Sequence, residues 1–135
     1  MSKTTIGFVY AGMMYFLVGV TLGVLFYIVP ETRRLQTIHV HVNLVGFVTF
    51  LIFGIAYHIL PRFRGRPLHS EGLAWVQFWM ANVGLAGLLI VNGLRGYEVV
   101  GNVTSLQISF GALLALSFYL FAYNMLRTLV PKVAR

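Results

Sequence analysis

The chain of 135 residues contains no cysteine and no aspartate, and its acidic residues are three glutamates. Without cysteine it has no disulfide, no thiolate-bound metal and no iron–sulfur cluster. Glu31, Glu71 and Glu98 fall between the apolar segments or at their ends. The chain therefore offers no carboxyl pair for general acid–base hydrolysis and no carboxylate in mid-membrane for ion-coupled transport.

Charge of any kind is scarce: 10% of the residues are charged, 59% are hydrophobic, and the mean hydropathy is +0.83. That composition is typical of an integral membrane protein. Four stretches carry no Lys, Arg, Asp or Glu, namely Thr4 to Pro30, Leu35 to Pro61, Gly72 to Leu94 and Val99 to Leu126. Each exceeds the roughly 20 residues that a helix needs to cross a bilayer. We expect an all-α integral membrane fold, a single four-helix transmembrane domain over residues 1–135 with helices at about 5–29, 36–60, 72–94 and 100–128.

The ten Lys and Arg residues predict the orientation of these helices. If the N-terminus is cytoplasmic, seven of them fall inside: Lys3, Arg62, Arg64, Arg66, Arg127, Lys132 and Arg135. Three fall outside: Arg33, Arg34 and Arg95. Because cytoplasmic loops are enriched in Lys and Arg, both termini are expected in the cytoplasm. Topology and attraction to the anionic lipid bilayer account for the net charge of +7, so no nucleic acid partner is expected.

Two of the four histidines, His39 and His41, lie in the second apolar stretch near its outer end. An ionisable side chain in hydrocarbon is costly and therefore indicates a functional site. Residues two apart on a helix point about 200° away from each other, whereas chelation of one ion requires a spacing of three or four. We therefore expect two separate sites, one on each side of this helix. His58, near the inner end of the stretch, and His69, in the Arg-rich loop, are expected to meet headgroups or water.

Axial ligation of haem iron is the chemistry that best fits one neutral imidazole in an apolar span, because the porphyrin is itself apolar. The face that begins at His39 continues through Asn43, Gly46, Phe50 and Tyr57 at helical spacing. One polar group, one gap and two aromatic rings would suit the edge of a porphyrin. The same stripe fits a surface for packing against another helix equally well.

The second apolar stretch also carries a longer pattern. His39-Val40-His41 is followed by Gly46, Phe53-Gly54, Tyr57 and Leu60-Pro61-Arg62, and this string resembles the tenth helix of the catalytic subunit of haem-copper oxidases, most closely the cbb-type branch. The next stretch, with Trp75, Gln77, Phe78 and Trp79, is similar to the eleventh helix of that family. The resemblance is to the last four of twelve helices and covers nearly the whole chain, with helices one and four matching in hydropathy alone.

The resemblance implies that His39 ligates a high-spin haem and His41 a low-spin haem. It implies haem b as the cofactor, with copper less favoured, and a multi-pass location in the prokaryotic inner (cytoplasmic) membrane. The family needs further histidines on other helices, for its copper and for the second axial position of the low-spin haem. Helices one, three and four of this chain contain none. A haem-binding or electron-transfer protein is therefore favoured over a complete oxidase, and whether the chain is an enzyme stays open.

A second axial ligand would have to lie at the depth of His39 or His41. The methionines of the apolar stretches instead fall in the inner halves of their helices: Met13, Met14, Met80 and Met125. We therefore expect His39 of one chain to pair with His41 of the next in a ring. Three copies of a four-helix chain would reproduce the twelve helices of the family, so a homotrimer is favoured and a dimer is the alternative.

Arginines near the outer end of helix two complete the predicted site. Arg33 and Arg34 are expected near the haem propionates, with Arg95 a weaker candidate, because guanidinium groups pair well with carboxylates. All three would serve equally well as interfacial anchors. The predicted cofactor-binding residues are His39, His41, Arg33, Arg34, Asn43 and Gly46, with His39 and His41 as the metal ligands.

Three classes of function fit these residues. The favoured one is a b-type cytochrome that exchanges single electrons with a quinone or a redox partner. The second is a haem protein that binds or senses nitric oxide, carbon monoxide or oxygen. The third is a copper or haem accessory factor for a respiratory oxidase.

Overall fold

Four long helices follow one another along the chain in the structure, a computed structural model that describes residues 1–99 and 101–130. They are α1 Lys3–Ile28, α2 Pro30–Phe63, α3 Glu71–Gly96 and α4 Thr104–Leu129. Each is long and apolar enough to cross a membrane, and the described residues contain no strand. The expected all-α fold with four candidate spans is confirmed. Lys132 and Arg135, which enter the orientation count, and Val100, at the expected start of the fourth helix, lie outside the described residues.

Serine caps begin α1 and α3. The Ser2 hydroxyl accepts a hydrogen bond from the Thr5 amide at 3.3 Å, and the Ser70 hydroxyl accepts one from the Leu73 amide at 3.1 Å. Such caps satisfy amides that the first turn of a helix leaves without a partner. Ser2 and Glu71 border one cavity, so the starts of α1 and α3 lie side by side. We call this side of the bundle the N-terminal end and the opposite side, where α2 begins, the His39 end.

The α2 helix extends past Pro61, which lies inside it. Proline removes only its own N–H from the ladder, and the Arg64 amide still donates to the Leu60 carbonyl at 3.2 Å. Gly65 then adopts a φ of 60°, a left-handed conformation that ends helices and favours glycine. The chain turns into the Arg-rich loop at this residue and not at the proline.

Three kinds of helix succeed one another within α2. A 3-10 turn at Pro30–Leu35 leads into an α-helical stretch at Gln36–His41, then a π-helical stretch at Val42–Thr49, and α-helix again at Phe50–Phe63. The Thr49 hydroxyl donates to the Leu44 carbonyl, five residues earlier, at 2.8 Å. Single π turns inside α-helices are frequent at functional sites. Both histidines lie in the short α-helical stretch that precedes this π-helical segment, and His41 is the last residue of that stretch.

Glycines allow the helices to pair closely. A Cβ on Gly46 of α2 would lie 2.6 Å from Tyr15 of α1. A Cβ on Gly84 of α3 would lie 2.8 Å from the backbone nitrogen of Leu114 in α4. Real Cβ atoms do not approach so closely, so any larger residue would push the helices apart.

An aromatic core fills the N-terminal end of the bundle. The Phe8 ring is fully buried, and its centroid lies 5.2 Å from that of Phe50 and 5.0 Å from that of Phe78, each edge to face. Phe53 meets Phe121 of α4 at 4.2 Å. The edge-to-face contacts of Phe8 add stability beyond the burial of area. The core thus holds the bundle at one end and leaves the two histidines at the other.

Candidate functional site

His39 points from α2 towards α1. Its Cε1 atom lies 3.2 Å from the position that a Cβ on Gly23 would take, and its ring lies 5.2 Å from the Phe26 ring at a tilt of 60°. The absence of a side chain at Gly23 is what admits the imidazole. His39 is partly buried against α1 and partly open to the side of the bundle.

Asn43 lies one turn below His39 and on the same face. Its Nδ2 donates to the His39 carbonyl at 2.8 Å and lies 3.3 Å from the His39 Nδ1 atom. The Asn43 side chain occupies the space that a Cβ on Gly19 would need. The two polar side chains are therefore stacked along α1 over its glycine step, Gly19 and Gly23.

A groove between α1 and α2 runs past these residues. One part has a volume of about 440 Å³ and is lined by Gly19, Val20, Gly23, His39, Val40, Asn43 and Leu44. The adjoining part, of about 360 Å³, is lined by Gly23, Phe26, Tyr27, Arg33, Gln36 and His39. Both volumes fall in the range of ligand pockets, roughly 300–1,000 Å³. His39 borders both parts, so it stands at the middle of a mostly apolar groove.

His41 makes a different contact. Its Nδ1 atom lies 2.8 Å from the backbone carbonyl of Thr37, one turn earlier in the helix. A carbonyl oxygen only accepts, so Nδ1 carries the proton of this bond, and in the neutral imidazole Nε2 then keeps its lone pair. A backbone carbonyl that holds one ring nitrogen is the usual support for a histidine that ligates a metal through the other.

The two histidines do not share one site. His39 contacts α1, whereas His41 bonds back to its own helix, and a separation of two residues turns their side chains about 200° apart. Within residues 1–99 and 101–130, no three His, Cys, Asp or Glu residues come together in a way that could hold a metal ion. An axial position on haem iron, by contrast, requires a single imidazole.

The three arginines predicted for the site lie in different surroundings. Arg33 lines the groove together with His39, and its Nε atom lies 3.4 Å from the Phe26 carbonyl. Arg34 lies against α3, where its carbonyl oxygen is 3.0 Å from the position of a Cβ on Gly96. Arg95 is exposed near the end of α3. Of the three, Arg33 is the one that lines a groove with a histidine.

The lower part of the predicted stripe belongs to the core. Tyr15 covers Gly46, Phe50 is fully buried, and Tyr57 is 4% exposed. Of the two interpretations of this stripe, helix packing is the one that fits Phe50 and Tyr57 in the single chain, because Phe8 of α1 packs against both rings. Only His39 and Asn43 of this stripe border the open groove.

The other two histidines lie at the N-terminal end. The His58 ring is covered by the guanidinium group of Arg62, one turn later. The His69 amide donates to the Thr128 hydroxyl at 3.0 Å, and its ring meets the Tyr123 ring edge to face at 5.9 Å. Neither contacts the groove at the opposite end.

Two features of the site were not anticipated from the sequence. Tyr27 and Gln36 line the groove beside Arg33. Gln36 stands three residues before His39, at helical spacing, whereas Tyr27 belongs to α1. The π-helical stretch directly follows His41 and has no simple signature in the residues Val42 to Thr49. The proximity of Tyr27 depends on the tight turn between α1 and α2, which the periodicity of one helix does not reveal.

Comparison with known proteins gives one partial similarity. No family model matches the chain. Over 47 residues, 34% of this chain, it is 40% identical to the cbb3-type cytochrome c oxidase subunit CcoN1 of Stutzerimonas stutzeri. The match spans 10% of the length of that relative. No solved structure matches. The similarity supports a relationship to a haem-copper oxidase subunit over part of the chain.

Proposed function

We propose that this chain is a haem b-binding membrane protein, a b-type cytochrome, with His39 and His41 as its axial ligands. The observation that carries the proposal is the hydrogen bond between His41 Nδ1 and the Thr37 carbonyl at 2.8 Å. It leaves Nε2 of the neutral ring with the lone pair that ligation of iron requires. The similarity to an oxidase subunit over 34% of the chain gives independent support for a haem-related role.

The residues around His39 also suit a haem. Gly19 and Gly23 of α1 make room for the side chains of Asn43 and His39, and the open groove of about 440 Å³ beside them would admit a flat apolar ring. Arg33 borders the same groove and would pair with a propionate by charge-assisted hydrogen bonds. The groove thus offers one partner for each part of a haem: an imidazole for the iron, an apolar wall for the ring and a guanidinium group for a carboxylate.

The protein's contribution is to hold and orient the ligands. Bound haem b supplies reversible one-electron oxidation and reduction. The Thr37 carbonyl orients His41, Asn43 restrains His39 from one side, and the surrounding apolar side chains exclude water. We assign both termini to the cytoplasmic face of a bacterial inner membrane, and electron exchange to a quinone or a protein redox partner near the outer face.

We further infer that two chains complete each haem site. His39 lies in a groove against α1, and His41 is directed away from it. A ring assembled head to tail would bring His41 of one chain to the groove of the next, whereas a two-fold dimer would pair like histidines. A homotrimer with up to three haems is the assembly we favour, and a dimer is the alternative.

Optical spectra of variants test the ligation. The purified full chain is expected to show sharp α and β bands on reduction, unchanged by carbon monoxide, because both axial positions are filled. The variants His39→Ala and His41→Ala are each expected to lose about tenfold or more of their haem per chain. His58→Ala, which removes an imidazole from the other end of the same helix, should keep the full haem content.

Three other results would contradict the proposed ligands or favour a different class of function. Full haem content in both His39→Ala and His41→Ala would contradict the proposed ligands. A clear shift of the reduced spectrum with carbon monoxide would indicate an open axial position and favour the gas-binding class. Preparations that never retain haem, even after reconstitution, would overturn the cytochrome proposal in favour of an accessory factor.

A further inference from the structure

A basic cleft lies at the N-terminal end of the bundle, far along α2 from His39. It is formed by the loop between α2 and α3 and by the end of α4, and its volume is about 440 Å³. Its lining residues are Arg66, Pro67, Leu68, His69, Arg127, Thr128 and Val130. Neither the ligation of haem nor the pairing of chains uses any of them.

The charges in this cleft have one sign. Arg66 and Arg127 are exposed guanidinium groups, His69 adds an imidazole, and no carboxylate stands among the described residues that line it. Arg66 makes one long hydrogen bond, 3.4 Å, to the Val130 carbonyl, and Arg127 lies over the Tyr123 ring at 5.8 Å. Each guanidinium group has five N–H donors, so most of this donor capacity faces the cleft or the solvent.

Buried hydrogen bonds fix the shape of the cleft. Asn124 is fully buried, and its side chain accepts from the Ser70 amide at 3.1 Å and donates to the Ser70 carbonyl at 2.8 Å. The Thr128 hydroxyl accepts from the His69 amide at 3.0 Å. The loop is therefore tied to α4 before any ligand arrives, and a preformed site loses less entropy on binding.

The cleft also lies where the helices end. Phe63, the last residue of α2, is 82% exposed, and Val130, just past α4, is 58% exposed. Such apolar side chains next to a cluster of cations mark the boundary between hydrocarbon and headgroups. A ligand that reaches this cleft from the membrane side would carry an anionic group at the level of the arginines and acyl chains along the helices.

We propose that the cleft binds the phosphate of an anionic phospholipid headgroup, with Arg66 and Arg127 as the principal contacts and His69 as a further contact. Guanidinium groups suit phosphate because they donate paired, charge-assisted hydrogen bonds. Basic pockets between helices on the cytoplasmic side of membrane proteins use the same chemistry. The proposal is independent of haem binding, since the cleft and the groove lie at opposite ends of the bundle.

Native mass spectrometry of the full chain released from nanodiscs tests this site. Retained adducts of phosphatidylglycerol are expected from mixed phosphatidylglycerol and phosphatidylcholine bilayers. Arg66→Gln and Arg127→Gln should each weaken retention about fivefold, and Arg66→Lys, which keeps the charge, should weaken it less. Arg64→Gln is the matched control, because Arg64 lies in the same loop and outside the lining of the cleft.

Three outcomes would overturn the proposal. An equal loss of adducts in Arg64→Gln would mean that general surface charge, and not the cleft, retains the lipid. Equal retention of phosphatidylcholine would remove the requirement for an anionic headgroup. Complete displacement of phosphatidylglycerol by millimolar inorganic phosphate would indicate a site for free phosphate. Because Arg66→Lys keeps the charge, it also shows whether a loss in the glutamine variant reflects failed folding.

Discussion

At the scale of single residues, the two histidines differ in what supports them. The helical period predicts from the sequence that His39 and His41 diverge, and the contacts agree with it. The period does not predict which ring nitrogen of His41 carries the proton. That depends on the Thr37 carbonyl, 2.8 Å away, and therefore on the rotamer that the folded helix selects.

Arg33 and Arg34 are adjacent in the sequence but have different surroundings in the folded chain. Arg33 and Arg34 are equivalent candidates for a propionate in the sequence, yet Arg33 lines the groove of His39 and Arg34 lies against Gly96. Both residues lie in the 3-10 turn at Pro30–Leu35. Sequence adjacency at the start of a helix therefore did not indicate a shared site.

This difference predicts unequal effects of two matched substitutions. Arg33→Gln is expected to lower haem retention several-fold, because a charge-assisted contact to a propionate is lost. Arg34→Gln, with the same change in charge, should retain haem close to the level of the parent chain. Haem per chain, measured by the pyridine haemochrome assay, checks both. A larger loss in Arg34→Gln than in Arg33→Gln would contradict the assignment of the groove.

At the scale of elements, α2 departs most from its prediction. The charge-free run predicts one regular helix, whereas the helix passes through 3-10, α and π geometry before Phe50. Each π turn closes over one residue more than an α turn, which changes the local direction of the side chains. Even so, Gly46 and Phe50 still face α1, so the stripe that begins at His39 keeps its side.

The pairing of α3 with α4 rests on a close backbone approach. A Cβ on Gly84 would lie 2.8 Å from the Leu114 nitrogen, and backbone cannot yield as a flexible side chain can. Gly84→Ala is therefore expected to destabilise the fold by roughly 1–3 kcal/mol. Gly111→Ala is the matched control, since nothing lies within 4 Å of its Cβ position.

Unfolding of the two glycine variants in detergent, followed by circular dichroism, gives the comparison. The Gly111→Ala variant should be unchanged or slightly more stable, because alanine favours a helix by up to about 1 kcal/mol over glycine. Equal stability of the two variants would show that α3 and α4 are held by something other than this contact.

At the scale of the whole molecule, packing is uneven. Aromatic rings from all four helices fill the N-terminal end, whereas an open groove occupies the His39 end. Large apolar side chains stay exposed on every helix, as lipid-facing surfaces require. The proposed second chain and haem would complete the packing at this open end.

The proposed ring predicts complementation between chains. In a head-to-tail assembly every site needs His39 from one chain and His41 from the next, so each single variant alone should lose its haem. Co-expression of His39→Ala with His41→Ala should restore part of it, because some interfaces then join an intact His39 to an intact His41. Native mass spectrometry of the parent chain is expected to give a trimer.

A two-fold dimer predicts a different pattern. Because His39 and His41 face opposite sides of their helix, a single two-fold interface joins only one like pair, so one single variant would lose its haem and the other would keep it. Loss of haem in one single variant alone, together with a stable dimer and no trimer, would overturn the ring.

The amino-acid sequence by itself determined the class of the protein and the position of its most unusual side chains. Four long runs without charge indicate helices in a bilayer, because each is long enough to span it and a helix satisfies its own backbone groups in lipid. A spacing of two residues directs His39 and His41 to different sides of their helix, because each residue advances an α-helix by about 100°. Only the tertiary structure decided that Phe50 and Tyr57 are buried, that Arg33 joins His39 in a groove, and that Arg66 and Arg127 share a cleft. Those outcomes depend on how closely neighbouring helices approach, and the approach is set by contacts between glycines and side chains that are distant in the chain.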